Sequence, residues 1–122
     1  MSVLQVSPSE AFEALSSDAS SALVDVRTSA EWSFVGLPDL SGIGKDVVLQ
    51  EWASFPQMAP NPNFINQLLE VSAEQNLKKI YFICRSGARS LHAALTMTDA
   101  FSANGRDIEC INVGPLQITS QT

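Results

Sequence analysis

The residues best suited to chemistry lie in one short loop that carries a cysteine and two arginines. Cys84 follows an apolar run at 80–83 and is followed directly by Arg85, then by Gly87 and Arg89. A segment rich in alanine and leucine then begins, so the pattern predicts a strand, a tight loop and a helix. The first N–H groups of a helix have no partner within the helix and, with the helix dipole, favour negative charge. The loop is therefore predicted to hold a cysteine thiolate beside an anionic substrate.

Each residue of this loop has a predicted part in the site. The two arginines supply fixed positive charge, and a planar guanidinium group can bind two oxygens of an oxyanion. Gly87 lets the backbone turn its N–H groups inward into an anion-binding nest. A buried structural cysteine is the simpler alternative for Cys84, but such a residue would not explain two neighbouring arginines. We predict that Cys84 is the catalytic nucleophile and that the substrate is bound by Arg85, Ser86, Gly87, Ala88, Arg89 and Ser90.

The other polar candidates are predicted to have supporting or structural roles. Asp25 ends an apolar run and is expected to accept hydrogen bonds near the loop, while Arg27 is predicted to form an ion pair with Glu31. His92, the single histidine, is expected on a helix surface, because the helix terminus and the arginines activate the sulfur without a base. Cys110 lies in an apolar run and is predicted to be a core residue. The sequence contains no metal-ligand cluster and no glycine-rich phosphate-binding motif.

Composition and charge favour a globular protein with a small anionic substrate. The chain has 122 residues, 45% of them hydrophobic and 16% charged, which predicts one globular domain over residues 1–122. A net charge of −6 argues against nucleic acid or an anionic membrane as the partner. No signal peptide or membrane-spanning run is visible, and the two cysteines are expected to be reduced. We therefore expect a cytoplasmic location.

Capping residues and apolar runs predict alternating helices and strands. Ser7 with Glu10, and Thr28 with Glu31, each have the spacing of a capping box at a helix start. The predicted strands are 22–26, 46–49, 79–83 and 108–113, and the predicted helices follow Ser7 and Thr28 and cover about 61–76 and 88–103. Such alternation predicts parallel strands covered by helices on both faces, with ligands bound beyond the carboxyl ends of the strands. Cys84 lies at such an end.

Two motifs resemble those of a known family. Cys-Arg-Ser-Gly-Ala-Arg-Ser at 84–90 resembles the active-site loop of the rhodanese homology superfamily, and Leu-Val-Asp-Val-Arg at 23–27, followed by Glu31-Trp32, resembles its N-terminal signature. The resemblance covers about residues 5–113. It implies a rhodanese-like three-layer α/β/α fold with a central five-stranded parallel sheet. It also implies a sulfurtransferase that needs no cofactor and moves sulfur from thiosulfate, or from a persulfide donor, to cyanide, a thiol or a protein thiol through a cysteine persulfide.

The chain departs from the family pattern in two places. Residues 35–38 read Val-Gly-Leu-Pro, whereas the family often has Gly-His-Ile-Pro near this point, so that histidine is missing. The family usually adds a glycine-rich turn and a further helix after the last strand, whereas this chain ends soon after about residue 113. The short C-terminus predicts that one packing helix is absent.

Two other functions share the same loop chemistry. Cysteine phosphatases use the motif Cys-x5-Arg, but here Ser90 occupies the arginine position and Arg89 comes one residue sooner. The shorter loop makes a smaller cradle and favours sulfur transfer over phosphate-ester hydrolysis. A non-catalytic module that carries a persulfide or binds a partner is the other alternative.

Overall fold

A parallel sheet of five strands forms the centre of the structure. The computed structural model describes residues 3–54 and 57–114. The strands are β1 Leu4–Val6, β2 Ser21–Asp25, β3 Val48–Leu49, β4 Ala53–Ser54, β5 Ala59–Pro60, β6 Lys79–Ile83 and β7 Glu109–Val113. The helices are α1 Pro8–Ser17, α2 Ser29–Val35, α3 Phe64–Glu74 and α4 Ala88–Ala103, with a 3₁₀ turn at Ser41–Ile43. The sheet order is β1-β7-β6-β2-β3, and β4 and β5 form a separate antiparallel pair.

Helices cover the two faces of the sheet, as the alternation of elements predicts. Ala22 and Val24 of β2 point to the face where Phe64 and Leu68 of α3 and residues of α4 pack. Leu23, between them in sequence, belongs to the opposite cluster with residues of α1. Successive strand residues therefore enter different cores, because side chains alternate across a strand. The predicted three-layer α/β/α architecture with a five-stranded parallel sheet is confirmed.

Both predicted capping boxes are present and begin α1 and α2. Ser7 Oγ accepts a hydrogen bond from the Glu10 N–H at 3.1 Å, and Glu10 Oε1 accepts one from the Ser7 N–H at 2.8 Å. Thr28 and Glu31 exchange the same two bonds at 3.2 and 3.0 Å. Each box satisfies N–H groups that lack a partner inside the helix, which stabilises a helix start by about 1 kcal/mol.

Other element boundaries differ from the prediction. Helix α3 begins at Phe64 rather than at Asn61, because the Asn61 side chain accepts from the Asn63 N–H at 3.0 Å and donates to the Glu51 carbonyl at 2.8 Å. The strand predicted at 46–49 is reduced to β3. Strand β1, which no sequence pattern indicated, pairs with β7 in parallel register. The predicted absence of a C-terminal helix concerns residues 115–122, which lie outside the described residues.

Among the helices of the described residues, none combines the length and the apolar composition that crossing a bilayer requires. Residues 3–54 and 57–114 also contain no group of three or more His, Cys, Asp or Glu side chains that could hold a metal ion.

Candidate active site

Cys84 lies directly after the carboxyl end of β6 and is fully buried. Its Sγ accepts a hydrogen bond from the Gly87 N–H at 3.1 Å and one from the Ser90 N–H at 3.3 Å. Gly87 is the N-cap of α4 and has φ of 90°, a conformation that a residue with a Cβ atom adopts only at a cost. The loop therefore turns two N–H groups at the start of α4 toward the sulfur, in the arrangement expected for holding a negative charge.

The sulfur also contacts a buried polar network that the sequence did not reveal. Ser90 Oγ lies 3.2 Å from Cys84 Sγ and donates its proton to Asn112 Oδ1 at 2.6 Å. Asn112 Nδ2 in turn donates to the Gly87 carbonyl at 3.2 Å and to Gln5 Oε1 at 3.0 Å. Asn112 is a buried polar residue in the middle of an apolar strand, and that contrast is the one signal by which the sequence could have indicated it.

Three of the predicted substrate-binding residues lie on the outer side of the loop. Arg85, Ser86 and Ala88 are exposed, while Gly87 and Ser90 are buried beneath them. The Ser86 hydroxyl accepts a hydrogen bond from the Ala88 N–H at 3.3 Å, which braces the turn. Cys84 is 0% exposed, so a substrate can reach its sulfur only when part of this outer layer moves.

Arg89 is held by Glu31 of α2. Nη1 and Nη2 of Arg89 donate to the two oxygens of the Glu31 carboxylate at 2.7 and 3.0 Å, a bidentate pair. Chiefly because of the hydrogen bonds from Arg89, the pKa of Glu31 falls from 4.5 to about 2. The same pairing, helped by the nearby Cys84, raises the pKa of Arg89. Glu31 therefore stays ionised and keeps the loop arginine in a fixed orientation.

The predicted pair between Arg27 and Glu31 is wrong. Arg27 binds Asp25 instead: Nε lies 3.0 and 3.1 Å from the two carboxylate oxygens, and Nη2 lies 2.7 Å from Oδ2. Nη2 also donates to the Gly36 carbonyl at 2.7 Å. Asp25 is 0% and Arg27 5% exposed. Asp25 and Arg27 are two residues apart in extended chain, so their side chains lie on the same side and pair directly. Glu31 therefore binds Arg89 instead.

Asp25 has the predicted role of a strand-end hydrogen-bond acceptor beside the loop. It ends β2 and pairs in register with Ile83, the residue before Cys84. Its carboxylate also accepts from the Arg27 N–H at 3.0 Å. The Val26 N–H donates to the Ile83 carbonyl at 3.0 Å and joins the chain after β2 to the end of β6, while the buried pair joins that chain to Gly36. Among the described residues, the pair makes no hydrogen bond to the Cys84 sulfur.

Cys110 and His92 lie where the sequence predicted. Cys110 is inside β7, 4% exposed, and burial raises the pKa of its thiol to about 12. His92 is exposed on α4. Both cysteines are free thiols. Of the two cysteines, Cys84 is the one that lies at the start of α4 beside the arginine loop.

Two cavities border this end of the molecule. One of about 410 Å³ lies over the Arg89–Glu31 pair and is walled by Phe34, Val35 and Met58. The other, of about 370 Å³, lies on the α1 face and reaches Asp25 and Arg27 but no residue of the 84–90 loop. Of these two cavities, the one walled by Phe34 and Met58 adjoins the sulfur loop, through Arg89.

Proteins similar to this chain occur in rickettsiae and in a mycobacterium, whereas no known family's sequence profile matches it. Uncharacterized protein RC0915 of Rickettsia conorii is 33% identical over 118 positions, which cover 88% of this chain and 90% of that protein. Uncharacterized protein RP600 of Rickettsia prowazekii is 31% identical over the same length. The crystal structure of Rv0390 from M. tuberculosis superposes with a TM-score of 0.75 at 35% identity and covers 94% of this chain and 80% of that one.

Proposed function

The chain belongs to the protein family of RC0915 and RP600, and we propose that it is a rhodanese-type sulfurtransferase that carries sulfane sulfur on Cys84. The observation that carries the proposal is the position of the Cys84 sulfur at the start of α4, with two backbone N–H groups directed at it. Preorganised N–H donors stabilise negative charge at low cost, because they need no reorganisation when the charge develops. The Cys84 thiolate, which attacks the donor and is the leaving group when the sulfur is passed on, is such a charge.

The first step transfers one sulfur atom to the enzyme. The Cys84 thiolate attacks the outer sulfur of thiosulfate, and a new S–S bond forms to Sγ. The original S–S bond of thiosulfate breaks, and sulfite leaves with its electron pair. The product is a Cys84 persulfide anion that carries the single negative charge of the former thiolate.

The second step returns the cysteine to its starting state. A nucleophilic acceptor (cyanide, a small thiol or a protein thiol) attacks the outer sulfur of the persulfide, and Cys84 leaves as the thiolate. With cyanide the product is thiocyanate. This is covalent catalysis with one substrate bound at a time, so the kinetics should be ping-pong.

The two loop arginines are proposed to bind the sulfonate oxygens of the donor. Arg85 is exposed beside the loop and can meet the anion first. The pair with Glu31 uses one N–H of each Nη, so Arg89 keeps three further N–H donors, one on each Nη and one on Nε, with which to bind the sulfonate while Glu31 stays in place. The guanidinium stays charged whichever partners it binds, so the positive charge remains next to Cys84.

Loop length favours sulfur transfer over phosphatase chemistry. Arg89 comes five positions after Cys84, one fewer than in the phosphatase motif, and Ser90 takes up the next position. The Ser90 side chain is directed toward Cys84 and Asn112 and not outward to a substrate. The cradle therefore has one residue less with which to surround a tetrahedral phosphate ester.

One observation favours a second candidate, a persulfide carrier without rapid turnover. Cys84 is 0% exposed and Arg89 is already paired, so the resting site is closed. A carrier would open on contact with a protein that delivers or removes the sulfur. The same persulfide would form, but small acceptors would remove it slowly.

Mass spectrometry after thiosulfate treatment tests the proposal. The intact protein should gain the mass of one sulfur atom on Cys84, cyanide should remove it, and thiocyanate should appear in repeated turnover. The matched control is the Cys84→Ser variant, which should gain nothing. An adduct that forms without turnover would favour the carrier. Turnover of aryl phosphates without any sulfur adduct would contradict sulfur transfer altogether.

A further inference from the structure

We propose that Asn112 is a positioning residue for Cys84, acting by turning the Ser90 hydroxyl so that the resting cysteine directs its S–H proton at Ser90. The inference rests on the proposed function in one respect, that Cys84 is the reactive group. It concerns how the fold sets the resting state of that group, and it follows from which atoms can donate and which can only accept.

The orientation of the Asn112 amide is determined by a backbone carbonyl that can only accept. Its Nδ2 lies 3.2 Å from the Gly87 carbonyl and 3.0 Å from Gln5 Oε1. A carbonyl oxygen cannot donate, so the nitrogen must face Gly87, and Oδ1 must face the other way. Asn112 is 1% exposed, so water does not offer an alternative partner for this amide.

That orientation of Asn112 fixes the direction in which the Ser90 hydroxyl donates its proton. A serine hydroxyl has one proton and two lone pairs. Asn112 Oδ1, 2.6 Å from Ser90 Oγ, is an acceptor only and takes the proton. The side of Oγ that faces Cys84 Sγ at 3.2 Å therefore presents a lone pair. The contact between sulfur and oxygen is then a hydrogen bond only when the thiol donates.

Ionisation of Cys84 would put this network under strain. If the Ser90 hydroxyl stayed in place, its lone pair would face a negative sulfur. If it rotated to donate to the sulfur, the buried Asn112 Oδ1 would lose its donor, which costs free energy. Asn112 therefore opposes the two loop N–H groups that favour the anion.

The charged groups around the sulfur are the same in every variant needed to test this. The loop contributes Arg85 and Arg89, and Glu31 binds Arg89. The other charged or titratable groups are the buried Asp25–Arg27 pair at the end of β2 and the exposed His92 on α4. A change in Cys84 reactivity on replacing Asn112 can then be traced to hydrogen bonding.

The test is the rate at which iodoacetamide alkylates Cys84 at neutral pH, followed in a Cys110→Ala background so that only one thiol reports. Asn112→Ala removes the acceptor and frees the Ser90 hydroxyl to donate to the thiolate. We expect alkylation to become several-fold faster. In the Ser90→Ala background, the same Asn112→Ala change should give no acceleration.

The double variant separates a positioning role from a structural one. A loosened loop would expose the sulfur and speed alkylation whether or not Ser90 kept its hydroxyl. Equal acceleration in the Ser90→Ala background would therefore overturn the proposal, as would a folded Asn112→Ala protein that reacts no faster than the parent. Asn63→Ala, at an exposed asparagine without a side-chain cap bond, is the matched control and should leave the rate unchanged.

A second variant keeps the test decisive if Asn112→Ala does not fold. Asn112→Val also lacks the acceptor and has a β-branched side chain suited to strand β7, and the same acceleration is expected. The result is independent of sulfur transfer, because alkylation needs no thiosulfate. A protein that forms no sulfur adduct but shows the Ser90-dependent acceleration would disprove the proposed function alone. One that forms the adduct without the acceleration would disprove the role of Asn112 alone.

Discussion

The two buried cysteines belong to neighbouring parallel strands in different ways, since Cys110 lies inside β7 and Cys84 comes directly after the last residue of β6. Both belong to the same apolar cluster, and they are 0% and 4% exposed. Cys110 pairs in register with Ile80 in the middle of the sheet, and desolvation raises the pKa of its thiol to about 12. The Cys84 sulfur instead accepts hydrogen bonds from two backbone N–H groups and lies next to the Ser90 hydroxyl.

The comparison shows that burial alone does not decide what a cysteine can do. Inside a strand the backbone N–H groups are used by the neighbouring strands, so a buried sulfur finds few donors and stays a neutral thiol. Past the strand end the chain turns into a helix whose first N–H groups have no backbone partner. A displacement of a few residues along parallel strands therefore separates an inert thiol from one suited to carry negative charge.

The largest expected effect is on sulfur-transfer activity, which should depend on Cys84 and not on Cys110. Cys84→Ser should abolish thiosulfate–cyanide sulfur transfer, because a serine oxygen cannot form the persulfide. Cys110→Ala should keep most of the activity and lower the free energy of unfolding by about 1 kcal/mol, the cost of removing a small buried group. Steady-state thiocyanate formation and urea unfolding measure the two quantities. An inactive Cys110→Ala protein with native stability would reverse the assignment.

The two thiols should also differ widely in their reactivity toward alkylating agents. With a pKa of about 12, roughly one Cys110 thiol in 10⁵ is ionised at pH 7, and the thiolate is the reactive form. We expect Cys110 to be modified only after the protein unfolds, and Cys84 to account for all modification of the native protein. Peptide mapping after iodoacetamide treatment, with and without urea, checks this. Equal labelling of both cysteines in the native state would contradict the difference in environment.

A smaller effect is expected from the cation beside Cys84. Arg89→Lys keeps the positive charge but loses the two-pronged geometry, so kcat/KM for thiosulfate should fall about tenfold, or about 1.4 kcal/mol. Arg106→Lys is the matched control, because Arg106 donates to Ser72 Oγ at 3.0 Å, away from the loop. A similar loss in both variants would show that the effect is not specific to the site.

The smallest effect is a pH-dependent contribution of Glu31 to stability. The pKa of Glu31 in the folded protein is lowered from 4.5 to about 2, chiefly by the hydrogen bonds from Arg89. A lowered carboxylate pKa stabilises the fold above roughly pH 5, and this contribution is lost as the pH falls toward 2. Because the Arg89 and Glu31 side chains are 23% and 26% exposed, we expect Glu31 to add about 1 kcal/mol at most to the free energy of unfolding.

Urea unfolding of wild type and Glu31→Gln at several pH values measures that contribution. Glutamine keeps an oxygen that can accept the Thr28 N–H, so the capping box is preserved and only the charge is removed. The difference between the two proteins should be full near neutral pH and close to zero near pH 2. A difference that does not change with pH would mean that the ion pair contributes nothing.

Local patterns account for much of what could be predicted about this fold. Capping boxes join residues three positions apart, so Ser7 with Glu10 and Thr28 with Glu31 could be recognised directly. Strands of continuous apolar residues identified β2, β6 and β7, and the glycine after Cys84 indicated the turn. The two-residue strand β3 and the short strands β1, β4 and β5 were misjudged or missed, because each depends on its pairing partner rather than on its own composition.

By itself, the sequence determined the parallel α/β architecture and the place of Cys84 at the junction of a strand and a helix, since both follow from short-range patterns. Only the tertiary structure decided which groups meet there. Arg89 binds a carboxylate 58 residues away, Ser90 donates to an asparagine 22 residues away, and that asparagine reaches Gln5 across 107 residues. Such partners are chosen by sheet order and helix packing, because a polar side chain bonds whatever the fold brings within reach.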